Sequence, residues 1–169
     1  MYYDTFESEI GNFFLISNGH ALVGCYLEGQ KYFPNEVFKY QKNETLPIFL
    51  KAKKWLTKYL EGEVVDNSNL PIEILGTQFR KEVWNILRSI TYGNTMTYKH
   101  ISNILIEKNN LNSMSNQAVG SAVGHNPLLI FIPCHRVIGS NGKLKGYAAG
   151  IEVKQYLLEL ESNTIKKLL

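Results

Sequence analysis

The sequence predicts an α+β protein in two parts: a small sheet-and-helix unit over residues 1–70, then a mostly helical unit over residues 71–169. Three observations predict it. Strand-length apolar segments separated by Gly11 and by Asn18-Gly19 open the chain. Apolar residues at helical spacing dominate from Thr77 onward, with Thr77 and Thr97 as caps of the first two runs. Between them the polar stretch Glu61–Pro71, with Asp66-Asn67-Ser68-Asn69, reads as a linker.

Strands are expected over Tyr3–Glu7, Asn12–Ser17 and Ala21–Leu27. A helix follows from Pro47 to about Leu60. Proline in its first turn needs no amide partner, and Gly62 lies past its end. Ile48, Ala52, Trp55, Leu56, Tyr59 and Leu60 form its apolar face. In the second part Thr77 caps a helix carrying Phe79, Val83, Trp84, Leu87 and Ile90, stopped by Tyr92-Gly93-Asn94. Thr97 caps the next, with Ile101, Ile104 and Leu105 inward, and a third short helix covers about Ser115–Val123. The apolar run Leu128–Ile132 reads as a buried strand, and Ser140-Asn141-Gly142 as a hairpin turn between Val137-Ile138 and Lys145. Two helices, a strand and a hairpin make a winged helix-turn-helix pattern. A last helix is expected over Glu152–Glu161, and residues 162–169 as a frayed tail.

An apolar share of 44% with 20% charged residues describes a soluble globular protein. No apolar run approaches the roughly 18 residues of a membrane span, and the first residues are no signal peptide. Cys25 and Cys134 have no CxxC partner and read as reduced thiols of a cytoplasmic protein. Four scattered histidines and two distant cysteines make no metal-ligand pattern, so no metal is expected. The net charge of +3 is unevenly spread. Residues 1–70 hold 7 Lys and Arg against 9 Asp and Glu, a balance of −2; residues 71–169 hold 11 against 6, a balance of +5. A basic second part fits an anionic partner.

The presumed recognition helix contains Gln117, Ala118, Val119, Gly120, Ser121, Ala122 and Val123, with no Lys or Arg. Base reading in the major groove normally uses Arg, Asn or Gln. Small side chains instead let a helix backbone approach a nucleic-acid surface closely without reading much sequence. Tight packing in a core would explain the same composition.

Pro133-Cys134-His135-Arg136, directly after the apolar run, is the segment richest in chemistry. Most free cysteines are small buried hydrophobes. Here a base and a cation adjoin the thiol. An unperturbed thiol has a pKa of about 8.5, so at neutral pH a nucleophilic Cys134 needs help to ionise. On a strand His135 would point away from Cys134; contact requires a turn after the cysteine or a bridging water. Glu152, Glu159 and Glu161 on the last helix could each orient the histidine, and spacing does not choose among them.

Ile132-Pro133-Cys134-His135-Arg136-Val137-Ile138 resembles the active-site signature of the O6-alkylguanine-DNA alkyltransferases, also called methylated-DNA–protein-cysteine methyltransferases. Gly76-Thr77-Gln78-Phe79, Val83-Trp84, Tyr92-Gly93, Thr97-Tyr98, Ala118-Val119-Gly120, Asn126-Pro127, Gly146-Tyr147 and Gly150 fall where that family's motifs fall. The likeness is strong from about Leu75 to Glu161 and looser over residues 1–70.

The resemblance implies stoichiometric, irreversible transfer of an alkyl group from the O6 position of guanine in double-stranded DNA to Cys134. It implies no cofactor and a monomer. His135 would be the base, acting through water, and Glu161 would orient it. Tyr98 would give a proton to the leaving base, and Asn126 would tie the recognition helix to the cysteine segment. Thr97, Tyr98, Gln117, Ala118, Gly120, Ser121, Ala122 and Arg136 would lie along DNA, although Arg136 reads as more structural than catalytic. Tyr98, Val137, Tyr147 and Ala148 would form the pocket for a flipped base. Two positions depart from the family: Gln117 stands where an arginine finger usually fills the gap left by the base, and Ala148 where a serine is common. Competing classes are a non-catalytic lesion binder and a Cys-His hydrolase; the retained cysteine argues against the first, and the lack of an oxyanion-hole motif against the second.

Overall fold

The computed structural model describes all 169 residues. Its first half is a four-stranded sheet with one helix. β1 (Tyr2–Ser8) and β2 (Gly11–Ser17) form an antiparallel hairpin whose register pairs Tyr2 with Ser17. Gly11 sits in its turn at φ 128°, a backbone region that favours glycine. β3 (Leu22–Leu27) pairs antiparallel with β2, and the two-residue β4 (Gln41–Lys42) adds parallel to β1, giving the order β3-β2-β1-β4. The alternation of β2 sends Phe13 and Leu15 to one face and Phe14 and Ile16 to the other. Phe13 and Leu15 meet α1 (Pro47–Leu60), which buries Ile48, Phe49, Ala52, Leu56 and Tyr59. The opposite face is closed by a short 3-10 turn over Asn35–Lys39, with Phe14 edge-on to Phe33.

The second half is helical, and the caps expected at Thr77 and Thr97 form, with Ser115 as a further one. Thr77, Thr97 and Ser115 accept the amides of Arg80, His100 and Ala118 at the starts of α2 (Gln78–Arg88), α3 (Tyr98–Asn109) and α4 (Asn116–Gly124). Trp84 Nε1 donates to the carbonyl of Ala122 at 2.8 Å, pinning α4 onto α2. One continuous apolar core runs from the sheet through α1 to α2, α3, α4 and α5 (Ile151–Leu168), so the two halves fold on each other. The expected linker takes part in this union. Leu22 N donates to the Pro71 carbonyl at 2.8 Å beside the sheet, and Asn67 Nδ2 donates to the Phe131 carbonyl at 2.9 Å.

Three local expectations are corrected. Leu128–Ile132 is wholly buried but is no strand. It turns sharply, with Ile132 N donating to the Leu128 carbonyl at 2.8 Å and Ile130 at φ 70°. The Asn126 side chain takes the place of a ladder: Nδ2 donates to the carbonyls of Ile132 (2.7 Å) and Leu128 (3.4 Å), and Oδ1 accepts from Leu128 N (2.9 Å). The turn around Ser140-Asn141-Gly142 forms, with Gly139 N donating to Lys143 O at 2.9 Å, but no strand returns from it. Val137–Ile138 (β6) is already paired, in parallel, with Met96–Thr97 (β5), so the wing is an irregular loop. Finally, α5 continues through the expected tail to Leu168. Thr164 Oγ1 donates to the Gly62 carbonyl at 2.9 Å, and Ile165 lies against Gly93, anchoring the last turns.

Candidate active site

Cys134 opens a short 3-10 turn, Cys134–Arg136, after the Asn126-braced loop. The chain thus leaves strand geometry at the cysteine, as contact with His135 would require. The thiol is 2% exposed, and Asn126 Nδ2 donates to Sγ at 3.0 Å. No direct hydrogen bond joins His135 to the thiol. His135 turns inward and is fully buried, its Nε2 2.8 Å from Glu161 Oε1. Of the three candidate glutamates only Glu161 is buried; Glu152 and Glu159 are exposed.

Glu161 is the hub of a dry polar network. Its carboxylate accepts from Arg136 Nε (3.0 Å to Oε2) and Nη2 (2.9 Å to Oε1), from Tyr59 OH (2.6 Å) and from Gly93 N (2.9 Å). Gly93 makes this approach possible: at φ 77°, a side chain there would drive its Cβ to 2.5 Å from Ile165. Burial alone would raise the Glu161 pKa, but the bonds and charges of His135 and Arg136 outweigh it and bring it to about 2. The group is therefore a carboxylate, an acceptor only. Burial is also the largest influence on His135 and lowers its pKa despite Glu161, so the imidazole is neutral near pH 7. Its Nδ1 is buried and unpaired.

Burial raises the Cys134 pKa, opposed by the Asn126 hydrogen bond, the charge of Lys154 and the Tyr147 hydroxyl. The resting pair is thus a neutral thiol and a neutral imidazole. Lys154 is fully buried; its Nζ donates to the Lys145 carbonyl at 3.1 Å and lies 5.9 Å from the ring centres of both Tyr98 and Tyr147. Desolvation pulls its pKa down to about 8, with Cys134 pulling the other way. Burial, then the neighbouring thiol, pushes Tyr98 up to about 12, which keeps its phenol protonated.

The structure thus brings Cys134, His135, Glu161, Asn126, Tyr98 and Tyr147 into one site. Ala148 follows Tyr147 in the chain, and its carbonyl accepts from Lys31 N at 2.9 Å. Other expected residues fall elsewhere. Arg136 is not on a DNA-facing surface: Nε and Nη2 are spent on Glu161 and Nη1 on the Ile90 carbonyl at 2.5 Å. Val137 has no exposed side chain, because β6 buries it in the core, so it lines no open pocket. Ala122 is also corrected. It is 2% exposed and points with Val119 and Val123 into the core, because α4 is amphipathic and these positions form its inner stripe. Gln117 and Ser121 lie on the outer stripe, Ala118 and Gly120 at its border, and a Cβ on Gly120 would meet nothing within 4 Å. Thr97 is half-buried and its Oγ1 is used as the cap of α3.

Lys154 and Tyr59 belong to the site and were not anticipated. The sequence carried a signal for Lys154: it shares the buried stripe of α5 with Leu157 and Glu161, and a charge on an apolar stripe needs a reason. Tyr59 gave none, since a tyrosine on the inner face of a helix reads as core. Beside the site, a cleft of about 760 Å³ runs between Tyr98, Gly120, Gly139 and Gly146, linking the outer stripe of α4 to the edge of the site. No group of three or more His, Cys, Asp or Glu side chains is placed to hold a metal ion, and no helix is long and apolar enough to cross a membrane.

Comparison with known proteins fits this arrangement. Residues 78–163 match the family profile "6-O-methylguanine DNA methyltransferase, DNA binding domain", and residues 1–74 match "6-O-methylguanine DNA methyltransferase, ribonuclease-like domain". A methylated-DNA–protein-cysteine methyltransferase of Methanosarcina barkeri is 40% identical, over 98% of this chain and 100% of the relative. One of Haemophilus influenzae is 37% identical, over 95% and 86%. A crystal structure of Mycobacterium tuberculosis OGT in complex with DNA superposes with a TM-score of 0.86 at 35% identity, covering 97% of this chain and 94% of that one. With both halves matched and the reactive turn in place, the chain belongs to the 6-O-methylguanine DNA methyltransferase family.

Proposed function

We propose that the protein repairs duplex DNA by moving a methyl group from O6 of guanine to Cys134 Sγ, once per chain. The observation that carries this reading is the seat of Cys134: a buried thiol held by Asn126, flanked by Lys154 and Tyr147, and followed in the chain by a His135 that is paired with Glu161 in the interior. Such a seat favours a reaction that makes an anion only when the substrate is in place.

The step is one in-line displacement. The thiol proton passes toward neutral His135, whose free nitrogen is Nδ1, through a bridging water. Glu161, already ionised, stabilises the imidazolium as it forms, and Lys154 faces the thiolate. The S–C bond forms as the C–O bond breaks, and O6 takes the electron pair. Tyr98, protonated and beside the thiol, supplies a proton to the guanine ring, so the base leaves neutral. The product is a thioether that nothing in this site reverses, so each chain acts once; the step as written uses no metal and no organic cofactor, and one chain supplies every group.

The target cannot react inside a stacked duplex and must be flipped out, at a cost of a few kcal/mol. The outer stripe of α4, with Gln117 and Ser121, Gly120 at its border and no aromatic or charged side chain, suits close backbone approach in the minor groove. Incubation with a duplex carrying one O6-methylguanine, followed by peptide mass mapping, tests the reading. The expected result is the mass of one CH₂ added to the Cys134 peptide and no repair by Cys134→Ala. An unmodified Cys134 beside repaired DNA would refute it.

A further inference from the structure

We propose that Tyr59, contributed by the N-terminal half, is a positioning residue for alkyl transfer: its hydroxyl holds the His135–Glu161 pair so that Nδ1 of His135 is the nitrogen left to act as base. The proposal rests on the reading of Cys134 as the acceptor and assigns a chemical task to a part of the chain that otherwise only supports the fold.

A count of protons fixes the tautomer. Tyr59 is 1% exposed, and its hydroxyl lies 2.6 Å from Glu161 Oε1 and 3.2 Å from His135 Nε2. Glu161 is ionised and can only accept, so the single phenolic proton points at the carboxylate. The phenol oxygen can then only accept on the side facing Nε2. Both neighbours of Nε2 are acceptors, which places the imidazole proton on Nε2 and leaves the lone pair on Nδ1. The reverse tautomer would set a bare nitrogen against two oxygens.

The hydroxyl also tempers the pull of Glu161. Oε1 is shared among Tyr59, His135 and Arg136, and each donor draws down the negative charge available to stabilise an imidazolium. Removing the hydroxyl strengthens that pull and makes His135 more basic, so the imidazole protonates at higher pH. The ring itself is fixed independently, stacked on Trp55 at 5.3 Å and edge-on to Tyr92 at 5.9 Å. Tyr59→Phe therefore changes the hydroxyl while keeping the packing.

The test measures the single-turnover rate of methyl transfer to Cys134 as a function of pH, in the unaltered chain and in Tyr59→Phe. The expected change is a fall of about five- to tenfold, a part of what a general base contributes, with the acid limb moved to higher pH and affinity for unmodified duplex unchanged. A slower variant with an unmoved limb, or a variant equal to the parent, overturns the proposal while leaving the function intact. Absence of the Cys134 adduct in the unaltered chain defeats the function itself. Should Tyr59→Phe fail to fold, ¹⁵N spectra of labelled histidine in the unaltered chain decide: a protonated Nε2 and bare Nδ1 at His135 support the proposal, and the reverse refutes it.

Discussion

The two flanks of the reactive cysteine are built on opposite principles. Behind it, His135, Glu161, Arg136 and Tyr59 form a buried network in which Glu161 alone accepts from four residues. In front, the outer stripe of α4 presents Gln117 and Ser121, with Gly120 open at its border, and not one charged side chain. The first region is over-determined and finished before any substrate arrives. On the proposed function, the second gains its partners only when DNA covers it. Chemistry that must proceed once, without error, is placed on the rigid side, while adaptability stays on the side that meets a deformable polymer.

The largest effect should come from opening the rigid side. Glu161→Gln leaves Arg136 buried without a countercharge and should destabilise the fold by about 3–5 kcal/mol at neutral pH, read by urea unfolding. The carboxyl titrates near 2 when folded against an ordinary 4.5, so its contribution is complete above about pH 4.5 and lost as the pH falls toward 2. The deficit of the variant should shrink over that window. A variant as stable as the parent at pH 7 would show that the network is ornamental.

The next effect separates the two stripes of α4. Ala122→Glu forces a carboxylate against the core and should destabilise the chain by about 3 kcal/mol or more. Gly120→Arg, two residues earlier, enters open space; it should leave stability within about 1 kcal/mol yet weaken duplex binding by about tenfold. Thermal unfolding and DNA binding on both variants check this. Unchanged affinity in Gly120→Arg would remove α4 from the interface. The smallest effect is expected at Gln117, which is exposed. Gln117→Arg should shift stability by no more than about 0.5 kcal/mol and accelerate single-turnover methyl transfer by supporting the extrahelical base with a stacked cation. An equal or slower rate would argue against a finger role there.

How much the sequence disclosed follows the same division. The strands, α1 and the caps at Thr77 and Thr97 are legible because periodicity and capping are local. The Cys134–His135–Glu161 grouping was legible only through likeness to a family, since spacing could not choose among Glu152, Glu159 and Glu161. Leu128–Ile132 misled because a buried apolar run looks like a strand whether its partners are a ladder or, as here, the amide of Asn126. The resemblance implies DNA contacts for Arg136 and Ala122, but a motif match does not say which way each side chain faces in this chain. Tyr59 stayed hidden for a different reason: it lies 102 positions from the carboxylate it binds.

The most direct measurement of the central claim is the adduct experiment run with methylated duplex in excess and the transferred methyl groups counted. The account predicts a plateau at one methyl per chain, all of it on Cys134 and none in Cys134→Ala. Continued turnover beyond that plateau, or methyl groups recovered on any other residue, would contradict it.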